Sequence, residues 1–375
     1  GIHAIRNHSR EQSIKFRNRN HFRLPGRHTM DFGLDAKHLL TDYDNMYPGL
    51  TNAIGDSMAP VIIADKTAAD KVGAFLRLTV KPMLRLQFTL GLRADYFSFN
   101  EKTTFSPRVA FSYKFTDRTS LNGSGGIYHQ NLPLLLLART PEDIELNDPR
   151  AVHYILGIEH LLTDDTRMTI EIYQKEYQHF PLDPAQPGLF IIDEDQFARY
   201  GMLTDQGEAL SRGLEVTLQK KLARNIYGLA SASLFRSRYK GADGIWRDRK
   251  YDNQVMLSAE GGYKPNERWE VSIRWIYAGG PPYTPMDPAA SRQQHRMVLD
   301  ETRINEARYP DYHSMNIRCD RRFHFRHSNL IIYLSAWNAY DHRNVATYYW
   351  NDEEQKREVI YQWRLLPIFG VEYEF

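Results

Sequence analysis

The stretch GDSM at 55–58 sets Ser57 between small and acidic neighbours, a setting in which a serine hydroxyl can serve as the nucleophile of ester hydrolysis. That chemistry needs a base beside the hydroxyl and donors for the oxyanion. The segment reads as a loop without a strand-to-helix turn, so a plain turn is the expectation. The 14 histidines raise metal binding, which needs several ligands converging on one point. His324 and His327 flank a short turn. His28 and His38 share one extended segment, about ten residues apart and out of common reach at ~3.4 Å per residue. Loop histidines His129, His179, His295 and His342 would have to converge to make a site, and His21 stands apart from them. No metal or cofactor is expected. Two sets remain as candidate ligand-binding residues. Arg93, Asp95, Glu215, Arg274, Arg318 and Asp320 are charges that alternate with apolar residues. Trp246, Tyr283, Tyr349 and Trp350, beside Tyr348, are aromatics in predicted loops and could stack on a ligand or belong to extended strands.

What must position these residues is a set of strands. In RWEVSIRWIY, Trp269, Val271, Ile273, Trp275 and Tyr277 form one face, and Arg268, Glu270, Ser272 and Arg274 the other. In LRLQFTLGLRADY, Leu84, Leu86, Phe88, Leu90 and Leu92 oppose Arg85, Gln87, Thr89, Arg93 and Asp95. SPRVAFSYKF, RGLEVTLQK and MNIRCDRRF repeat the pattern, with Cys319 on the apolar face and Arg321 breaking it. A period of two is the signature of strands with unlike faces. Fifteen are predicted, near 11–23, 27–40, 71–81, 84–99, 105–116, 119–130, 149–162, 166–178, 209–222, 225–239, 251–264, 268–283, 311–325, 329–340 and 365–375.

The connections alternate in length. One set is tight (LPGR, KPM, TDR, TDD, AR, PNE, RHS). The other is mostly long, at 41–70, 131–148, 179–208, 284–310 and 341–364, with shorter members at 100–104 and 240–250. Short turns at one end and long loops at the other describe a transmembrane β-barrel of the outer-membrane kind. Composition agrees. The 375 residues carry a net charge of +2 and 13% aromatics, with 23 Tyr suited to interfacial girdles. Mean hydropathy is −0.56, which suits strands needing apolar residues only at alternate positions, and no run approaches the ~18 apolar residues of a membrane helix. A single cysteine excludes an internal disulfide. Nothing pairs basic patches with a nucleic-acid fold. The basic run RDRK at 247–250 lies in a loop, where it could meet lipopolysaccharide phosphate; LLLL at 134–137 reads as a buried loop core.

The sequence resembles the TonB-dependent outer-membrane receptors, in particular the group with a carboxypeptidase-regulatory-like N-terminal extension. LGLRADYF (90–97) with FSPRVAFSY (105–113), NLPLLLLA (131–138) with AVHYILGIEH (151–160), and IEIYQKEYQHFPL (170–182) leading to GMLTDQGEALSRGLEVTLQKKL (201–222) carry the resemblance. So do IYAGGPPYTP (276–285), RYPDYHSMNIRCDRRF (308–323), LSAWNAYDHRNV (334–345) and LLPIFGVEYEF (365–375). The resemblance implies a receptor in the outer membrane of a Gram-negative bacterium, for a scarce nutrient such as a ferric siderophore, cobalamin or an oligosaccharide. Its barrel has about 22 strands around a plug, so residues 1–375 would be its C-terminal portion, with about fifteen strands and no plug. Partners implied are the TonB complex acting through the missing plug region, the barrel assembly machinery reading the terminal Phe375, outer-membrane lipid with lipopolysaccharide, and an unknown small nutrient. The first residue is Gly, not Met, and a processed or truncated start is expected. A passive channel of similar architecture is the alternative, and an outer-membrane enzyme a lesser one.

Overall fold

The computed structural model describes residues 5–55, 57–140, 145–194 and 201–375. Fifteen long strands form one antiparallel sheet, each paired with its neighbours in sequence: β1 (Arg6–Leu24), β2 (His28–Tyr47), β3 (Val61–Met83), β4 (Leu86–Phe97), β5 (Lys102–Lys114), β6 (Thr119–His129), β7 (Arg150–Leu161), β8 (Thr166–Leu182), β9 (Thr204–Ala223), β10 (Ile226–Lys240), β11 (Val255–Asn266), β12 (Trp269–Ala278), β13 (Tyr312–His324), β14 (Asn329–Trp337) and β15 (Leu366–Glu374). Each falls on one of the predicted segments. The three-residue strand Trp246–Asp248 adds to the end of β10.

The extents differ where a strand leaves the apolar band. Most of 41–70, expected as loop, is ladder: β2 and β3 stay paired from Thr41↔Thr67 to Tyr47↔Val61. Thr41, Asp42, Tyr43, Asp44 and Asn45 carry no apolar outer face, so the period that marks a membrane strand disappears while the backbone pairing continues. For the same reason β8 runs on to Leu182 and β9 begins at Thr204.

Connections sort by end as expected. Residues 25–27, 84–85, 115–118, 162–165, 224–225, 267–268 and 325–328 turn tightly at one end, and the longer segments gather at the other. Arg224 and Asn225 both have positive φ (50° and 67°), the backbone that a two-residue hairpin turn requires to match strand twist.

Parity along the ladders gives the sheet two faces. Leu76, Leu90, Leu92, Leu156, Ile172, Val271, Leu334, Phe369 and Val371 are exposed large apolar residues on the outer face. The opposite parity carries the charges. β1 pairs only with β2 and β15 only with β14, so the described strands form an arc with two free edges. At the loop end the inner side chains Leu39, Tyr43, Ile63, Ala69 and Phe97 meet Leu132, Leu134, Leu136, Leu137, Leu146, Ile191 and Leu203 in one buried cluster. LLLL is thus a buried loop core; Leu136 and Leu137 are 1% and 0% exposed.

Candidate functional site

The predicted pair Arg93 and Asp95 comes together on the inner face of β4. Arg93 donates to both carboxylate oxygens of Asp95, at 2.7 and 2.6 Å, and from its third nitrogen to Asp35 on β2, at 3.0 Å. Asp35 also accepts from Arg17 of β1 at 2.6 Å. β3 lies between β2 and β4, and in register with both aspartates it has Gly73. A Cβ on Gly73 would sit 2.3 Å from Asp95 Oδ1 and 2.4 Å from Arg93 Nη2. The missing side chain is what lets one guanidinium bridge two carboxylates across a strand. Nearer the turns, Asp31 of β2 accepts from His21 at 2.8 Å and from Arg77 at 3.0 Å. Planar, bidentate guanidinium contacts of this kind fix geometry as well as charge.

A second cluster lines the inner face of β10 to β14. Arg318 donates to Asp320 at 2.6 Å and stacks on the Tyr333 ring, 3.8 Å from its centroid. Arg322 lies 3.7 Å from Asp320 and donates to Glu270 at 2.6 Å, and Glu270 also takes Lys264 at 3.2 Å and the Tyr227 hydroxyl. Asp320 and Glu270 are buried, at 7% and 8% exposure, yet each is met by cations, as buried charge requires. The remaining predicted wall residues stand apart. Arg274 lies 3.7 Å from Glu260. Glu215 faces Glu171 in register and is in no ion pair among the described residues.

At the loop end, segments distant in sequence are stitched together. Asn52 donates to Gln186 at 3.0 Å, Leu299 N–H to Ala53 O at 2.7 Å, and Arg296 to Asn52 O at 3.2 Å. Arg308 binds Asp248 and Asp252, both at 2.7 Å, and Asp252 is fully buried. Arg249 grips the buried Asp193 and stacks on Phe190. His295 meets Asp352 at 2.9 Å, and the hydrogen bond holds the Asp352 carboxyl below its ordinary range. Lys102 closes the segment after β6 by donating to Glu145 O at 2.5 Å and Leu146 O at 3.0 Å.

Within this cover three tyrosines pack together: Tyr283, Tyr309 and Tyr348, with ring centroids 4.4, 5.1 and 5.3 Å apart. Arg357 stacks on Tyr348 at 4.1 Å and donates to the Tyr283 hydroxyl at 3.1 Å. Partial burial raises the Tyr348 phenol above its usual value. Of the predicted aromatics Tyr283 and Tyr348 join this cluster. Tyr349 and Trp350 lie in the hairpin Val345–Asn351/Lys356–Tyr361, as extended strand. The Tyr349 hydroxyl donates to Glu358, and Trp350, 9% exposed, donates to Asp352 at 3.1 Å. Trp246 pairs along the backbone with the end of β10. Tyr309 was invisible to sequence reasoning because its partners lie in other connections.

Other expectations resolve as follows. Ser57 is exposed in a two-residue strand and makes no side-chain hydrogen bond among the described residues; Asp56 lies outside them. Among the described residues no base is hydrogen-bonded to its hydroxyl, as nucleophilic activation requires. The loop histidines do not converge: His129 and His179 line one pocket, His295 binds Asp352, and His342 stacks on His313. Among the described residues no three His, Cys, Asp or Glu form a metal-holding group. The cations of RDRK are engaged within the cover. Arg247 forks onto Asp243 at 2.9 and 2.6 Å, holding its carboxyl below the usual range, and Lys250 is 3.7 Å from Glu194. Cys319 sits in register between Val271 and Leu334, on the apolar outer face. Phe375 is fully exposed on that same face, beyond Tyr373.

A fifteen-strand arc with an apolar exterior, a charged interior and loops gathered at one end is the frame on which comparison with known proteins bears. The sequence matches the family described as TonB dependent receptor-like, beta-barrel, over residues 4–339. The chain belongs to this family. Barrels of the family reside in the outer membrane of Gram-negative bacteria, and the short turns accordingly face the periplasm and the long loops the exterior. No curated protein matches in sequence. Among solved structures, the FpvAI–pyocin S2 complex is similar with a TM-score of 0.67 at 14% identity, over 99% of this chain and 48% of that one. The FrpB iron transporter from Neisseria meningitidis gives 0.66 at 11% identity, over 98% and 55%. The siderophore receptor PiuA from Acinetobacter baumannii gives 0.64 at 13% identity, over 98% and 56%. The chain spans about half the length of these receptors.

Proposed function

We propose that the chain is a barrel portion of a receptor that captures a ferric siderophore with its extracellular loops and imports it by TonB-coupled displacement of a plug. The observation that carries this reading is the stitched cover ending in the Tyr283–Tyr309–Tyr348 cluster with Arg357. Stacked phenols with a guanidinium suit a flat, anionic, aromatic ligand better than a cobalamin or an oligosaccharide. The solved relatives described as siderophore receptors and iron transporters support the same class. The interior supports the plug. Asp35, Asp95, Asp320 and Glu270 are held in fixed rows by arginines, which gives a polar domain a rigid surface to pack against. The free edges of β1 and β15 would pair with further strands of the same barrel, since an unpaired edge in lipid leaves backbone groups unsatisfied. In this reading the protein is a transporter, not an enzyme.

The test is a binding panel on the full-length protein: a ferric catecholate, cobalamin and a neutral oligosaccharide. Saturable binding of the ferric catecholate that falls on Tyr348→Ala supports the reading. Preference for either of the others, unaffected by Tyr348→Ala, overturns it.

A further inference from the structure

Besides the tyrosine cluster, the hairpin Val345–Asn351/Lys356–Tyr361 is fastened at its foot and at its turn, and both fastenings contain histidine. At the foot, the His342 ring stacks on the ring of His313, at the loop end of β13. The centroids are 3.6 Å apart and the planes 27° from parallel. Both rings are half-buried. His313 Nδ1 is hydrogen-bonded to the Tyr340 hydroxyl at 2.8 Å. Backbone contacts hold the rings together. Asn344 accepts from the His313 N–H at 3.0 Å and donates to its carbonyl at 2.9 Å. Asn338 accepts from the His342 N–H at 3.1 Å and donates to its carbonyl at 2.8 Å.

At the turn, His295 Nδ1 meets Asp352 Oδ2 at 2.9 Å, and Asp352 Oδ1 accepts from Trp350 at 3.1 Å. His295 closes the helix Pro288–Gln294 of the 284–310 connection. The two ends of the hairpin are therefore tied to different parts of the molecule. They answer acid in opposite senses. Imidazole gains its proton between about pH 5 and 8. A proton on His295 puts a cation against the Asp352 carboxylate and strengthens that contact. Protons on both His313 and His342 set two cations face to face, and like charges this close repel.

The charged groups around the two ties are already engaged. Asp311, beside His313, accepts from the Tyr277 hydroxyl at 2.6 Å and from the Gly280 N–H at 2.9 Å. Asp341 is forked by Arg364 and accepts from the Leu365 N–H at 3.0 Å. Arg343, next to His342, adds a further positive charge. At the turn, Arg296 is held by Gln294 and by Asn52 O, and Glu354 pairs with Lys356.

We propose that the His313–His342 stack is an acid-sensitive latch: when both rings are protonated, the foot of the hairpin comes away from β13 while its turn stays tied through His295 and Asp352. Tyr348 and Arg357 lie on the hairpin between the two ties, so release moves them relative to Tyr283 and Tyr309. The consequence for capture rests on the siderophore reading; the latch itself does not.

The experiment is hydrogen exchange with mass spectrometry on the full-length protein in detergent, without ligand, at about pH 7.5 and about pH 5. Protection is taken relative to unstructured peptide at the same pH. At the lower pH, protection of the foot, residues 338–346 and 361–365, should fall about tenfold, as for one proton bound one pK unit more weakly by the closed form. Protection of the turn, residues 348–358, should be kept. His342→Phe leaves a ring stacked on His313 that does not titrate, and its foot should be equally protected at both pH values. A retained heat-shift on gels shows that the variant is folded; if it is not, His313→Phe takes its place. Constant protection of the wild-type foot, an equal loss in the folded variant, or loss along the whole hairpin overturns the proposal. With no ligand present, that failure is separate from a failure of the binding panel.

Discussion

The charged wall and the loop cover are built by different means. In the wall, partners come from adjacent strands and share a row: Arg17, Asp35 and Asp95 lie level with Gly73. In the cover, partners lie far apart in sequence. Asn52 is tied to Arg296, Asp193 to Arg249, and Tyr283 to Arg357. The wall is specified by a period of two and a register, so it tolerates change wherever the row has room. The cover is specified by individual pairs, each of which holds two segments.

Substitutions can break this contrast. The largest effect is expected at Leu137, fully buried in the cluster that seats the cover on the barrel mouth. Leu137→Ala should cost about 2–5 kcal/mol of local stability. Limited proteolysis should then cut the segments around 130–149 and 183–203 while the strands stay protected in hydrogen exchange. In the wall, Gly73→Leu drives a side chain into the Arg93–Asp95 fork and should cost about 1–3 kcal/mol by overpacking. The yield of heat-modifiable, folded barrel should fall, whereas Ala74→Leu, on the opposite face of the same strand, should leave it unchanged.

Smaller effects sharpen the division. Tyr348→Ala removes a stacking partner worth about 0.5–1.5 kcal/mol, so siderophore affinity should drop about threefold to tenfold with barrel yield unchanged, as read by calorimetry. The smallest effect is a pH dependence. Arg247 lowers the Asp243 pKa, chiefly by their hydrogen bonds, so the contact stabilises the 241–254 segment fully above the ordinary carboxylate range. That contribution is lost as pH falls through the lowered value. The protection of the Ile245 amide, whose N–H donates to Asp243 at 3.0 Å, measured relative to unstructured peptide at the same pH, should fall as pH drops below the ordinary carboxylate range, and Asp243→Asn should show the low protection already at neutral pH. Protection that stays constant across that range contradicts the assignment.

How much was legible in the sequence follows the same division. All fifteen strands were readable because lipid on one side and polar surroundings on the other impose alternation. Thr41–Tyr47 escaped because that stretch stands above the apolar band, where no face need be greasy. Arg93–Asp95 and Arg318–Asp320 were found because each pair is two residues apart on one face. Asp35 and Gly73 were missed: their roles depend on register with β4, which one strand alone does not reveal. Tyr309 and the Arg308–Asp252 contact depend on the path of whole connections, and no local pattern encodes that.

The most direct test of the account is uptake of a radiolabelled ferric siderophore by cells carrying the full-length protein as their sole receptor, with and without a proton-motive-force uncoupler. The account predicts saturable uptake that the uncoupler abolishes while surface binding persists. Uptake that rises linearly with concentration and ignores the uncoupler would contradict it and establish a passive channel.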